Sequence, residues 1–119
     1  MRKTLVFGAS LKTHRYSNLV VNRLLDHNIE TEAFGLKAGK IREITIETSL
    51  DNFQNIDTIT LYIGAVLQTQ YFGDILKINP RRVVFNPGTE NPNFYKILKD
   101  NGVEVEVACT LVLLATGQY

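Results

Sequence analysis

The sequence predicts an α/β domain of three layers, in which helices cover both faces of a mostly parallel sheet of five or six strands. The first observation is that short apolar segments, such as Thr4–Phe7 and Arg82–Phe85, alternate with segments of helical periodicity, which is typical of βα units. The second is that these strands are nearly all apolar, as in sheets that are buried on both faces. The third is that glycine or an Asn-Pro-Gly sequence follows four of the strands.

Strands are predicted where a short apolar segment is rich in β-branched or aromatic residues and ends in a turn sequence. The six segments of this kind are Thr4–Phe7, Glu30–Phe34, Ile44–Ile46, Thr58–Ile63, Arg82–Phe85 and Val103–Val107. Because helices separate most of them, the order predicts a Rossmann-like α/β/α domain.

Two longer helices are predicted from apolar residues that recur every three or four positions. The first covers residues 18–27, where Val20 and Leu24 share a face. The second is predicted because one face would carry Leu67, Tyr71, Ile75 and Ile78.

The remaining helical segments are shorter. Asn91 suits the capping position of a helix whose first residue is Pro92, where the missing N–H costs nothing. A single helical turn is predicted at Leu50–Phe53, and a short helix at Thr110–Ala115.

The composition is that of one ordinary globular domain, covering residues 1–119. A net charge of +1 gives no overall field that would attract nucleic acid. The single cysteine, Cys109, cannot form an intrachain disulfide, and no cysteine–histidine spacing indicates a metal site. The first apolar run is too short for a signal peptide, and no stretch approaches the ~20 apolar residues of a membrane span. We therefore expect a cytoplasmic protein that binds neither nucleic acid nor membrane.

The turn after the first strand is the first candidate for a binding site. Ligands of parallel sheets bind at the carboxyl ends of the strands, where the strand order reverses. Gly8-Ala9-Ser10 lies at such an end and leads to a helix, whose start attracts anions. Ser10 and Ser17 add hydroxyl donors, and Lys12 and Arg15 add positive charge. The sequence therefore predicts a phosphate or pyrophosphate site at this turn.

The known nucleotide fingerprints are absent from the same turn. GxGxxG would need glycine at the positions of Ser10 and Thr13, and the GxxxxGK[ST] pattern does not occur. A bound NAD would also predict an acidic residue after the second strand, where this chain has Lys37. A positive charge there suits the additional phosphate of coenzyme A or, as the alternative, of NADP.

Three segments resemble a known family: the GAS turn followed by RYSN and a helix, the sequence FNPGTEN, and the sequence ACTLVLLATGQ. With them, the chain resembles the small stand-alone coenzyme A-binding proteins, which are similar to the nucleotide-binding domain of the succinyl-CoA synthetase α subunit. The resemblance covers essentially the whole chain. It implies a Rossmann-like fold with coenzyme A lying over the strand ends.

The same resemblance implies which residues contact coenzyme A. They are Gly8, Ala9, Ser10, Arg15 and Ser17 for the phosphates, Lys37 for the adenosine phosphate, Tyr62 and Ile63 for the adenine or the chain leading from it, and Asn86, Pro87 and Gly88 for the pantetheine path.

No catalytic residue and no metal ligand is predicted. His14 lies on a loop, and no carboxylate or nucleophile is positioned by the sequence to pair with it. Cys109 has apolar flanking residues, which are typical of a buried thiol. The phosphorylated histidine of the related synthetases lies outside their nucleotide-binding domain, so that role is not carried over to this chain.

These observations favour a non-catalytic module that holds coenzyme A or an acyl-CoA as a carrier, sensor or accessory subunit. The alternative is an enzyme, either an NADP-dependent oxidoreductase or a coenzyme A-dependent transferase. A third interpretation is an interaction domain without a ligand, since a fold does not decide a function. A homodimer and an unidentified protein partner both remain open at this point.

Overall fold

Strands and helices alternate along most of the chain in the computed structural model, which describes residues 2–119. The strands are β1 (Lys3–Phe7), β2 (Glu30–Phe34), β3 (Gly39–Ile41), β4 (Ile44–Glu47), β5 (Ile56–Leu61), β6 (Arg82–Phe85) and β7 (Glu104–Val107). The helices are α1 (Tyr16–Asp26), α2 (Ala65–Gln68), α3 (Phe72–Ile78), α4 (Pro92–Asp100) and α5 (Thr110–Ala115), and a 3-10 turn (Thr69–Tyr71) joins α2 to α3. Within these residues, no helix has the length and apolar character needed to span a bilayer.

The strands form one sheet in the order β3-β4-β2-β1-β5-β6-β7. Every neighbouring pair is parallel except β3 and β4. The chain builds one half of the sheet up to β4 and then returns to pair β5 with the other side of β1. The boundary between β1 and β5 is therefore the point at which the strand order reverses.

Apolar side chains fill the space on both faces of this sheet. Phe7, Phe85 and Phe94 belong to the larger cluster, which α3 and α4 cover. Val6 and Val20 belong to the cluster on the opposite face, which α1 and α5 cover. The predicted α/β/α layering is thereby confirmed.

The predicted number of strands is wrong, since the sheet has seven strands rather than five or six. The additional strand, β3, forms a hairpin with β4. The turn between them places Arg42 at a φ of 55°, a conformation that usually calls for glycine or asparagine. Asp26 at the end of α1 accepts a hydrogen bond from Arg42 at 2.8 Å. Asp26 and Arg42 are far apart in the sequence, so the residues around the turn do not indicate this contact.

Two of the predicted helices also differ from the structure. The helix expected from Leu67 to Ile78 is divided into α2, the 3-10 turn and α3, and its first turn buries Gln68 while Leu67 stays 51% exposed. The segment Leu50–Phe53 is a turn without a helix, and the hydroxyl of Ser49 accepts the N–H of Asp51 at 3.2 Å. Such local bonds compete with helix formation.

Candidate functional site

The strand register aligns the carboxyl ends of the central strands in one row. Phe34 of β2 pairs with Phe7 of β1, and Phe7 also pairs with Leu61 of β5. Leu61 in turn pairs with Phe85 of β6. The residues that follow these ends are Gly8, Gly35, Tyr62 and Asn86. The four predicted turns therefore lie side by side along one edge of the sheet.

The turn after β1 packs tightly against the turns on both sides of it. Gly8 has a φ of 103°, and a Cβ atom there would lie 2.9 Å from Cγ2 of Ile63. A Cβ atom on Gly35 would lie 2.4 Å from the carbonyl oxygen of Ala9. Both positions require glycine because neighbouring loops approach them, and this requirement exists before any ligand binds.

The amides of the first two residues in this turn are already paired. The N–H groups of Gly8 and Ala9 both donate to the carbonyl oxygen of Phe34 at 2.8 Å. They are therefore not free to hold a phosphate. Within the predicted turn, the backbone amide of Ser10 is not paired in this way. The contacts of Gly8, Ala9 and Ser10 with an anion stay predictions, and the start of α1 adds further backbone donors.

The start of α1 carries backbone donors that are not paired within the described protein. Arg15 occupies the capping position, and no side chain caps the helix. In the part of the chain that the structure describes, the N–H groups of Tyr16 and Ser17 have no hydrogen-bond acceptor. No acidic residue lies in the first turn to balance the positive end of the helix dipole. This arrangement suits an anion.

Three basic residues precede this helix, and all are exposed: Lys12, His14 and Arg15. A positive charge at the start of a helix opposes the helix dipole. None of the salt bridges within residues 2–119 involves Lys12 or Arg15. An anionic group bound between these basic side chains and the start of α1 would interact favourably with both the positive charges and the helix dipole.

Asn18 fixes the position of this loop on the helix. Its side-chain amide donates to the carbonyl oxygen of Ser10 at 2.9 Å, and the hydroxyl of Ser10 accepts the N–H of Lys12 at 3.1 Å. Asn18 and Ser17 are both 6% exposed. Both residues are therefore largely covered by the surrounding protein.

Gln68 joins the turns after β5 and β6, a role that no pattern in the sequence indicates. Its side chain is fully buried, and Nε2 donates to the carbonyl oxygens of Ile63 at 2.8 Å and Thr89 at 2.7 Å. Its Oε1 accepts from the side chain of Asn91 at 2.9 Å. A buried side chain with three such bonds holds the two turns in a fixed relation.

Asn86 lies on the predicted pantetheine path but directs its side chain into the protein. It is 2% exposed, and its amide donates to the Thr60 hydroxyl at 2.8 Å and to the Leu61 carbonyl at 2.9 Å. Its oxygen accepts the N–H of Thr110 at 2.8 Å. A ligand at this turn therefore meets the exposed residues Pro87 and Gly88 rather than the Asn86 amide.

Tyr62 lies below the same edge. Its hydroxyl is buried and has no partner among the described residues. Burial raises the pKa of Tyr62 above its usual value, and the nearby Cys109 acts in the same direction. The Tyr62 hydroxyl therefore stays protonated, and it is buried within the protein. Cys109 occupies the position before α5, makes no capping bond with its side chain and is half-buried.

Lys37 stands apart from the other predicted contacts. It is exposed in the loop after β2, next to the exposed Leu36. None of the salt bridges described for residues 2–119 involves it. It is free to contact an anion at this end of the row.

Two surface cavities flank Phe53, away from this row of turns. One, of about 220 Å³, is lined by three carboxylates, those of Glu32, Glu43 and Glu47. The other, of about 200 Å³, has Asp51, Asp74 and Lys77 in its lining. Because carboxylates outnumber basic groups in both linings and negative charge repels phosphates, neither cavity suits the phosphates of a nucleotide.

The fold and this edge define a nucleotide-binding type of α/β domain, with a basic, uncapped helix start beside the point of strand reversal. A family model for the CoA binding domain matches residues 2–115. The chain belongs to that family, which confirms the resemblance seen in the sequence. The separate contacts predicted for the cofactor stay predictions.

Solved structures support the same fold over nearly the whole chain. A crystal structure of an uncharacterized protein is 41% identical, with a TM-score of 0.96, and the match covers 100% of this chain and 98% of that chain. A protein from Thermus thermophilus is 20% identical, with a TM-score of 0.88, covering 99% of this chain and 90% of that one. A hypothetical protein from Pyrococcus horikoshii OT3 is 25% identical, with a TM-score of 0.84, covering 93% and 80%. A search of curated proteins found no match.

Proposed function

We propose that this chain binds coenzyme A across the carboxyl ends of β2, β1, β5 and β6 and acts as a carrier, sensor or accessory module. Membership of the CoA binding domain family supports the ligand. The position of the phosphates is inferred from one observation, the uncapped start of α1. There the backbone amides of Tyr16 and Ser17 have no acceptor, and Arg15 beside them is positively charged.

In this proposal the pyrophosphate lies at the start of α1, and the amides paired with Phe34 take no part. Lys37 contacts the phosphate on the ribose, at the β2 end of the row. The pantetheine passes Ile63 and the turn at Pro87 and Gly88. The hydrogen bonds of Gln68 hold these last two segments in place before the ligand arrives.

The first experiment measures the affinity for coenzyme A by calorimetry, with NADP and NAD as competitors. Arg15→Ala should weaken binding by roughly 1–3 kcal/mol if its contact with phosphate is charge-assisted. Arg23→Ala is the matched control, because Arg23 is exposed in the last turn of the same helix. Equal affinities of the wild type and Arg15→Ala for coenzyme A would mean that the phosphates do not bind at the start of α1.

A second experiment tests the proposed contact of Lys37. The wild type should bind coenzyme A more tightly than dephospho-coenzyme A, which lacks the ribose phosphate. In Lys37→Ala this preference should disappear, whereas Lys40→Ala, an exposed lysine nearby on β3, should retain it. Tighter binding of NADP than of coenzyme A would instead favour the oxidoreductase.

A further inference from the structure

Seven large apolar side chains are exposed in the described part of the chain, residues 2–119. Each of them lies at the carboxyl end of a strand or in the loop or helix that follows it. They are Leu11, Tyr16, Leu36, Val66, Leu67, Val107 and Val112. Where such side chains are adjacent on the surface, as on a single helix, they mark a place where another apolar group binds.

Helix α2 carries the most projecting pair of these residues, which we call the α2 shelf: Val66 and Leu67. Val66 is 89% exposed and Leu67 is 51% exposed, whereas the next residue, Gln68, is fully buried. The apolar spacing that Leu67 shares with Ile75 would bury it in an unbroken helix. The chain instead buries an amide and exposes two apolar side chains within one helical turn.

This arrangement is held in place by specific contacts. The two bonds from Gln68 Nε2 to the carbonyls of Ile63 and Thr89 fix the rotation of α2, so the α2 shelf cannot turn inward while they persist. Local choices that oppose burial and are nevertheless held rigidly are expected at functional sites.

The α2 shelf borders the proposed cofactor path. Helix α2 begins directly after Gly64, and Ile63 packs against Gly8 in the turn after β1. On its other side, Gln68 contacts the segment that follows Gly88. A ligand that runs from the start of α1 toward Pro87 therefore passes beside the α2 shelf.

We propose that the ligand of this site is an acyl-coenzyme A whose apolar acyl group lies against the α2 shelf. This inference rests on the proposed function. The basic start of α1 and the α2 shelf then match the two ends of one amphiphilic ligand, which is anionic at the nucleotide and apolar at the thioester-linked chain. Burying methylene groups against apolar side chains should raise the affinity with chain length.

The test measures by calorimetry the affinities of coenzyme A and of its acetyl, butyryl and hexanoyl thioesters. The wild type should gain roughly two- to fourfold in affinity per added methylene. The double variant Val66→Ser, Leu67→Ser should lose this gain and keep its affinity for free coenzyme A. Both side chains are exposed, so the substitutions should leave the fold intact. Val112→Ser is the control, because Val112 is 57% exposed on α5, which packs beside α1 on the opposite face.

The outcomes separate this inference from the proposed function. Tight binding of coenzyme A with no dependence on acyl chain length would contradict the proposal that the ligand is an acyl-coenzyme A. It would not contradict the proposed function. A gain that disappears in Val112→Ser but persists in the double variant would overturn the α2 shelf as its location. If neither coenzyme A nor any thioester binds, the proposed function fails, and this inference fails with it.

Discussion

The side-chain oxygen of Asn86 accepts the backbone N–H of Thr110 at 2.8 Å, which joins the end of β6 to the first residue of α5. Asn86→Ala removes this bond together with two donated bonds. We expect a loss of about 2–4 kcal/mol in the free energy of unfolding, because each buried group left unpaired costs about 1–3 kcal/mol. Urea unfolding measures the loss, and Asn93→Ala, an exposed change in α4, should be close to neutral. A loss as small as that of the control would mean that water replaces the Asn86 contacts.

Gln68→Met should be destabilising although methionine is similar in size and apolar. It leaves the carbonyls of Ile63 and Thr89 and the amide of Asn91 without their buried partner. The expected loss is about 2–4 kcal/mol by the same reasoning. Gln70→Met, two positions along and exposed, is the control. Similar melting temperatures for both variants would contradict the role given to Gln68.

Two glycine substitutions should change the free energy of unfolding in opposite directions. Gly35→Ala places a Cβ atom 2.4 Å from the carbonyl oxygen of Ala9 and should cost roughly 1–3 kcal/mol, as overpacking does. Gly73→Ala meets nothing within 4 Å in α3 and should stabilise the helix by about 0.5–1 kcal/mol. Thermal unfolding of the two variants tests both signs. If Gly35→Ala were as stable as the wild type, the turn after β1 would be more adaptable than its contacts indicate.

The ionisation of Asp57 should make the free energy of unfolding depend on pH in the acid range. Two hydrogen bonds from the Arg81 guanidinium, at 2.8 and 3.1 Å, hold the pKa of Asp57 below its usual value. A lowered pKa in the folded state adds stability above the unfolded pKa of about 3.9, and this stability is lost as the pH falls through the folded value. The difference in unfolding free energy between the wild type and Asp57→Asn should therefore shrink as the pH is lowered below about 4.

The control for this prediction is the same substitution in an Arg81→Gln background. Without the guanidinium, Asp57→Asn should change the acid dependence much less, because the two effects are coupled through one contact. Equal pH profiles of the Asp57→Asn effect in both backgrounds would mean that the arginine is not the cause.

Much of the layering could be predicted because it depends on local patterns. The apolar runs of β1, β2 and β6 and the Asn91-Pro92 start of α4 carry their structure in adjacent residues. The hairpin of β3 and β4 was not predicted, because its turn has arginine rather than glycine or asparagine at the position of positive φ, Arg42. The contact of Arg42 with Asp26 joins residues that lie far apart in the sequence.

The candidate site was predictable at the level of turns but not at the level of atoms. Glycine and Asn-Pro-Gly sequences placed the row of turns correctly. They did not show that the amides of Gly8 and Ala9 pair with Phe34, or that Gln68 rather than Leu67 is buried. These facts depend on contacts between residues that lie apart in the sequence, at strand ends and in turns, which periodicity does not encode.

The central position of β1 has a consequence for how the molecule folds. Residues 3–7 pair with residues 56–61 on one side, so the middle of the sheet closes only after more than 50 residues of chain have been brought together. Pairings of such large sequence separation slow folding. Until β5 arrives, an apolar parallel strand has one edge unpaired, and such an edge is a site where other chains add. The step most sensitive to concentration during refolding should therefore be the docking of β5 on β1.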